Sequence, residues 1–407
     1  MTIVPARKDF HPSFSEWFPK AAIAVGIAWY LLLCLLHYLS DRPLWNDEAC
    51  VFQSIQAFRP HEFFTQNLLA YQVFPRLYLL LIQKISQLFD FHLWALRFPS
   101  FVCMLAAFFV WLKIASYELK NRIEYLTFVL CWSASAVLIY YSAELKQYSL
   151  DVLASALYLG FLYHQEKLEN SPKASRYLWV LILLPGLVLF SYPAYLFALL
   201  PLYNLFLSVQ HNRRRLRFLM TYLSSFLVFG LLSYSFDIRL RPIAAVTHGF
   251  GDYFVSFNSV GEFLKTTGEG TMNLLSRWFV ERPKILKYIG VFFVMGGFLR
   301  MFYGFFLHIK KDCYRLKSIH TVALVIFVEL FILGALKKYP FTVPRTSLFF
   351  CPVVLFLTVK AIADLKGLKP LWGRILQGAF LYYLIFVSLG ISFFVFNKAL
   401  TYRPELW

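Results

Sequence analysis

An all-α polytopic membrane protein is what these residues specify. The signs are the amount of apolar residue, its division into runs, and the placing of basic residues between the runs. Of 407 residues, 59% are hydrophobic and only 15% charged, against roughly a quarter charged in a typical soluble chain. The apolar residues recur in runs of about 17 to 25, the length that crosses a hydrocarbon core as helix. Such runs begin near Ala21, Leu96, Tyr125, Ser149, Tyr177, Tyr192, Phe218, Leu286, Thr321, Leu348 and Ile375. About 11 transmembrane helices are therefore expected.

Forty Lys and Arg against 22 Asp and Glu give a net charge of +18. On a soluble domain that excess would suggest nucleic acid. Here it sits in short loops: Arg7/Lys8/Lys20, Lys113/Lys120/Arg122, Lys167/Lys173/Arg176, Arg213/Arg214/Arg215/Arg217, Lys310/Lys311/Arg315/Lys317 and Lys366/Lys369/Arg374. Eleven crossings put all six clusters on one side, which the positive-inside rule makes cytoplasmic. The N-terminus is then inside, the C-terminus outside, and no nucleic-acid partner is expected.

Each element follows from local pattern. The N-terminal stretch is too long and mixed for a cleavable signal, so the run after it is a retained first helix. Residues 74–90, "FPRLYLLLIQKISQLFD", carry Arg76 and Lys84. As a crossing this stretch would invert every later loop, so it reads as an amphipathic interfacial helix within the first outer loop, 41–95. The run 177–209 is split at Pro193. A second long outer loop spans 237–284. The order divides into an N-terminal module, 1–236, and a C-terminal one, 237–407. The six cysteines show no metal-binding or disulfide spacing. Cytoplasmic loops are short, so chemistry belongs to the outer face.

Three outer stretches carry charges worth attention. In "LWNDEACVFQSIQAF", Asn46 can cap a helix, with Asp47 and Glu48 in its first turn. Acids at a helix start are ordinary, but a carboxylate partly withdrawn from water is also a better proton acceptor. In "YYSAELKQYSLD", helical spacing would align Glu144, Tyr148 and Asp151, with Lys146 offering an anion a partner. In "LKKYPFTVPRTSLFF", Tyr339 and Arg345 lie at the outer boundary with Lys337 and Lys338. Arg345 suits a bidentate phosphate contact. The long loop adds Arg239, Arg241 and His248. Together they suggest a carboxylate base facing a cationic cradle for a lipid phosphate.

The ordered set "WNDEA", "PRLYLLL", "LRFPS", "SAELKQYSLD" and, more loosely, "YPF" with Arg345 resembles the GT-C superfamily of membrane glycosyltransferases. The likeness is to its bacterial branch near the lipid A aminoarabinose and galacturonic acid transferases, and to protein O-mannosyltransferases. It implies a GT-C fold in the bacterial inner membrane, a polyprenyl-phosphate sugar donor, a glycan, lipid or protein acceptor, and inversion at the anomeric carbon. The family's loop-one aspartate falls on Asp47 with Glu48 beside it, and its second-loop acid on Glu144 or, less closely, Asp151. No cofactor follows from the residues. Loop one has no DxD pattern, so a divalent cation stays open. The competing reading is a transporter or flippase of lipid-linked saccharides. It rests on Glu329 inside an apolar run, but lacks the repeats that transporters commonly show.

Overall fold

The computed structural model describes residues 14–169, 174–241, 250–279, 283–309, 316 and 318–397. Among these residues there is no β-strand. Helix α1 (Phe14–Tyr38) leads into the first loop, which folds as α2 (Asn46–Ala57) and α3 (Arg76–Gln87). The chain continues through α4 (Leu93–Glu118), α5 (Arg122–Ser133), α6 (Ala136–Tyr141) and α7 (Tyr148–Glu169). Then come α8 (Ala174–Leu183), which runs on as a 3₁₀ turn, α9 (Ala194–His211) and α10 (Leu216–Phe236). Two short helices follow, α11 (Val260–Leu264) and α12 (Gly270–Ser276). The last four are α13 (Lys284–Ile309), α14 (Ile319–Ala335), α15 (Cys351–Leu368) and α16 (Pro370–Phe396).

Every expected apolar run lies on one of these helices or helix pairs. Six helical segments among the described residues are long and apolar enough to cross a membrane: Phe18–Tyr38, Leu93–Glu118, Leu216–Leu240, Lys284–Leu307, Leu348–Gly367 and Pro370–Phe396. Three apolar helices are shorter: Tyr177–Leu189, Ala194–Gln210 and Ile319–Ala335. The run beginning near Tyr125 is broken between α5 and α6, and the break has a cause. Ser135 Oγ donates to the Trp278 carbonyl (2.6 Å) and Ala136 N to that of Phe279 (3.4 Å). The long second outer loop is thereby stitched into the gap. Large side chains such as Val25, Phe109, Leu231, Phe292, Phe306 and Tyr382 are exposed on the long helices. Apolar surface on that scale belongs against lipid. This is an integral membrane protein.

One continuous apolar cluster runs from Tyr30 to Val395 and draws on both halves of the sequence. Within it α4 packs on α7, α1 on α5, and α13 on α15. The last pair approaches through Gly297, where a Cβ would lie 2.3 Å from Thr358 Oγ1, the close backbone contact that small residues permit between membrane helices.

The first loop has its own core of Val51, Ile55, Phe63, Phe74, Tyr78, Leu79 and Ile82 against Leu96, Leu145 and Leu150. Each such side chain contributes roughly 1.5–3 kcal/mol when withdrawn from water. The loop is thus a folded cap. As the sequence leads one to expect, α3 is a short amphipathic helix: its 12 residues reach about 18 Å, against a hydrocarbon core of roughly 30 Å.

Candidate active site

The cap begins with two adjacent carboxylates that face different ways, because successive helical residues are turned by about 100°. Glu48 points inward and is fully buried. Its Oε1 accepts from Arg97 Nε (3.1 Å) and Leu145 N (2.8 Å), and its Oε2 from Arg97 Nη2 (2.8 Å) and Trp45 N (3.3 Å). Arg42 Nη2 stands 3.6 Å from the same carboxylate. The remaining guanidinium hydrogens of Arg97 reach the carbonyls of Arg42 (2.7 Å) and Pro43 (3.3 Å). Burial pushes the Glu48 carboxyl up, but Arg42 and Arg97 outweigh it and hold it below its ordinary value. Glu48 therefore clamps the first loop to α4 and to the 142–147 turn, and it is absent from the cavity wall. Two local expectations change. The helix is capped at Trp45, not Asn46, because Glu48 reaches back to the Trp45 N–H. Helix α7 starts at Tyr148, so Glu144 precedes the helix and cannot share a helical face with Tyr148 and Asp151.

Asp47 points outward, into a cavity of about 660 Å³. Its Oδ2 accepts from Arg345 Nη1 at 2.7 Å, joining residues 298 apart. The Arg345 guanidinium also lies 6.0 Å from the Trp45 ring and 5.7 Å from that of Phe250. Lys146, Tyr148, Asp151, Arg241, Lys337, Lys338 and Tyr339 line the same cavity, so nine of the residues singled out from sequence converge here. Lys146 Nζ donates to Gln72 Oε1 (2.6 Å). Burial holds its ammonium below the usual lysine range, against the pull of Asp47. Asp151 Oδ1 accepts from Ser191 (2.6 Å), and Tyr339 donates to the Thr346 carbonyl (2.6 Å).

The others are not on this wall. Arg239 is exposed and is not among the lining residues, and His248 lies outside the described residues. Glu144 is buried behind the wall, accepting from Trp45 Nε1 at 2.7 Å. Burial, with the charge of Glu48 adding, pushes its carboxyl up to about 7.

Behind Arg241 and Tyr192 of the wall lies a charged group whose other members, Asp237 and Arg76, were not read as a site in the sequence. Asp237 stands 3.8 Å from Arg76 Nε and 3.9 Å from Arg241 Nε, and accepts from Tyr192 OH at 3.1 Å. The Arg241 guanidinium lies 3.6 Å from the centroid of the Tyr192 ring. These ion pairs are too long for hydrogen bonds. Arg76 Nε and Nη1 and Arg241 Nε and Nη2 are buried without a hydrogen-bond partner among the described residues. Arg97 beside Glu48 leaves no buried nitrogen unpartnered, while here Arg241 on the cavity wall and Arg76 behind it each keep two. The signal was available, since Arg76 opens the amphipathic α3 and Asp237 caps the end of the apolar α10.

The wall comes from the connections after α1, α6, the 184–189 turn, α10 and α14. These alternate along the chain with the connections that carry the basic clusters. Among the described residues no three His, Cys, Asp or Glu side chains are grouped as metal ligands.

Two outcomes follow from the buried charges. Arg97→Met should lower stability by about 3–5 kcal/mol, because it strands Glu48 without its main partner. The Arg97→Met/Glu48→Gln pair should recover part of that loss in thermal unfolding, whereas equal midpoints for all variants would contradict the clamp. For Glu144, the folded-state value of about 7 lies above the ordinary 4.5. Its contribution is thus fully present below pH about 4.5 and lost as pH rises through about 7. Glu144→Gln should flatten the stability profile over that window, and an unchanged slope would rule this out.

Residues 74–235 match the family model described as dolichyl-phosphate-mannose-protein mannosyltransferase. No curated protein matches the chain in sequence. Among solved structures the fold matches ArnT from Cupriavidus metallidurans, determined bound to undecaprenyl phosphate, with a TM-score of 0.51 and 13% identity over 95% of this chain and 74% of that one. The chain therefore shares the ArnT fold along nearly its whole length and matches the mannosyltransferase family model within residues 74–235.

Proposed function

We propose that the protein moves a sugar from a polyprenyl-phosphate donor to an acceptor hydroxyl, with inversion, at the outer face of a bacterial inner membrane. The observation that carries this reading is one cavity with an accessible carboxylate, Asp47, on one wall and guanidinium groups with unused donors, Arg241 backed by Arg76, on another. ArnT, the structural relative, was crystallised with undecaprenyl phosphate, which supports a lipid phosphate as the group these arginines receive. Orientation rests on charge: the connections that alternate with the cavity wall carry the basic clusters, and basic loops stay inside. Eleven crossings with the N-terminus inside and the C-terminus outside satisfy that pattern.

The chemistry is a single displacement. The acceptor oxygen attacks the anomeric carbon from the face opposite the phosphate, Asp47 takes the hydroxyl proton, and the bond from that carbon to the phosphate oxygen breaks. The departing polyprenyl phosphate gains negative charge, which Arg241 and Arg76 stabilise in a site partly screened from water. Arg345 and Lys146 were expected to cradle the phosphate. In the structure Arg345 holds Asp47, and Lys146 is held by Gln72. We therefore assign Arg345 to orienting the base and Lys146 to keeping that wall cationic. Glu48 and Glu144 act behind the surface, by holding Trp45 and the 142–147 turn.

Two variants separate base from phosphate site. Asp47→Asn should lower transfer by about a hundred- to ten-thousand-fold while leaving undecaprenyl phosphate binding near the parent value. Arg241→Ala should weaken that binding by tenfold or more, a loss of about 1.4 kcal/mol. The check is purified protein assayed for lipid binding and for turnover of a polyprenyl-phosphate sugar. Parent-like turnover by Asp47→Asn would remove Asp47 from the role of base.

A further inference from the structure

A second cavity, of about 190 Å³, lies outside the site described above. It is lined by Tyr253, Lys265, Thr266, Glu269, Asn273 and Arg277, with Thr342 and Pro344 opposite. The sequence builds its floor with a simple rule. Residues 260–276 form one helical run, α11 and α12 joined by a π turn over Lys265–Glu269. Lys265, Glu269, Asn273 and Arg277 recur every fourth residue and form one stripe. Val260, Leu264 and Met272, one register earlier, form a neighbouring stripe of exposed apolar side chains. The helix meets the opposite wall through Gly270, where a Cβ would lie 2.5 Å from Thr342 Cγ2. Thr342 in turn donates to the Tyr253 carbonyl (3.2 Å).

The lining selects a class of ligand. Lys265, Glu269 and Asn273 make no side-chain hydrogen bond or ion pair among the described residues. Glu269 sits on the stripe between two cations, so a free anion would meet its charge and a cation would meet Lys265 and Arg277. A neutral polyol meets neither penalty. Its hydroxyls donate to Glu269 and accept from Lys265 and Asn273, with Tyr253 also on the lining. The volume has room for roughly a dozen waters, the scale of one sugar ring.

The turn at 339–346 is a wall shared by both cavities: Tyr339, Pro340, Arg345 and Thr346 face the main one, and Thr342 and Pro344 the second. A ligand here stands beside the turn that holds Asp47 through Arg345. Resting on the glycosyl-transfer reading, we infer that this second cavity binds a neutral sugar unit of the acceptor and that the 339–346 turn carries its position to the base.

The test is saturation-transfer NMR on the purified full-length protein in detergent, with a panel of free neutral hexoses, N-acetylhexosamines and pentoses. At least one sugar should bind, and Glu269→Gln/Asn273→Ala should weaken it roughly five- to tenfold or more. Both side chains are exposed, so the fold should survive. Arg241→Ala should leave the sugar signal intact, and inorganic phosphate should not displace it. The inference is overturned by a panel with no binder, by a signal the double variant keeps, by one lost with Arg241→Ala, or by one that inorganic phosphate abolishes. Undecaprenyl phosphate binding, measured separately, reports on the main cavity alone, so failure there is distinguishable from failure here.

Discussion

The Glu48 carboxylate, sealed between Arg97 and Arg42, is the constraint on which the rest of the site depends. A lone carboxylate withdrawn from water costs several kcal/mol, and an ion pair offsets that only where every hydrogen-bonding position is met. Here they are met: Arg97 from α4, the Leu145 amide from the turn before α7, and the Trp45 amide from the cap itself. Three elements far apart in sequence are pinned at one point. With Glu48 fixed, the first turn of α2 has one orientation, and in that orientation Asp47 faces the cavity.

The two kinds of ion pair in the protein show the difference between holding a fold and holding a ligand. Around Glu48 the hydrogen bonds from Arg97, Leu145 and Trp45 are 2.8–3.3 Å, and Arg97 leaves no buried nitrogen unpartnered. Around Asp237 they are 3.8 and 3.9 Å, and the arginines keep donors unused. Leaving buried donors unsatisfied is costly, which makes the second arrangement more readily explained by a visiting group than by packing. The Asp47–Arg345 contact stands between the two cases, short but on the cavity wall. It can orient the carboxylate while leaving it open to an approaching hydroxyl.

Much of this was legible in one dimension because membrane spans depend on local composition. The eleven apolar runs, the amphipathic α3 and the break near Pro193 each follow from a short window of sequence. So does the suspicion falling on Asp47 and Arg345, since charges at the ends of apolar runs are expensive. Partners were not legible. Arg97 lies 49 residues from Glu48, and nothing local says which of two adjacent acids turns inward. That choice needed the register of α2 against α4. Glu144 was read onto a helix because its spacing from Tyr148 and Asp151 was helical, yet the helix begins four residues later. Arg76 was read only as a mark of the amphipathic α3 and Asp237 as the edge of an apolar helix, until the fold brings them together with Arg241 and Tyr192.

The central claim is that one cavity sets the base, Asp47, opposite a phosphate site made by Arg241 and Arg76. A cryo-electron microscopy structure of the protein with undecaprenyl phosphate tests it most directly. The account predicts the phosphate within hydrogen-bonding distance of the Arg241 guanidinium, with Asp47 still on the cavity wall and paired to Arg345. A phosphate seated on Arg345 and Lys146 with Asp47 displaced, or bound outside this cavity, would contradict it.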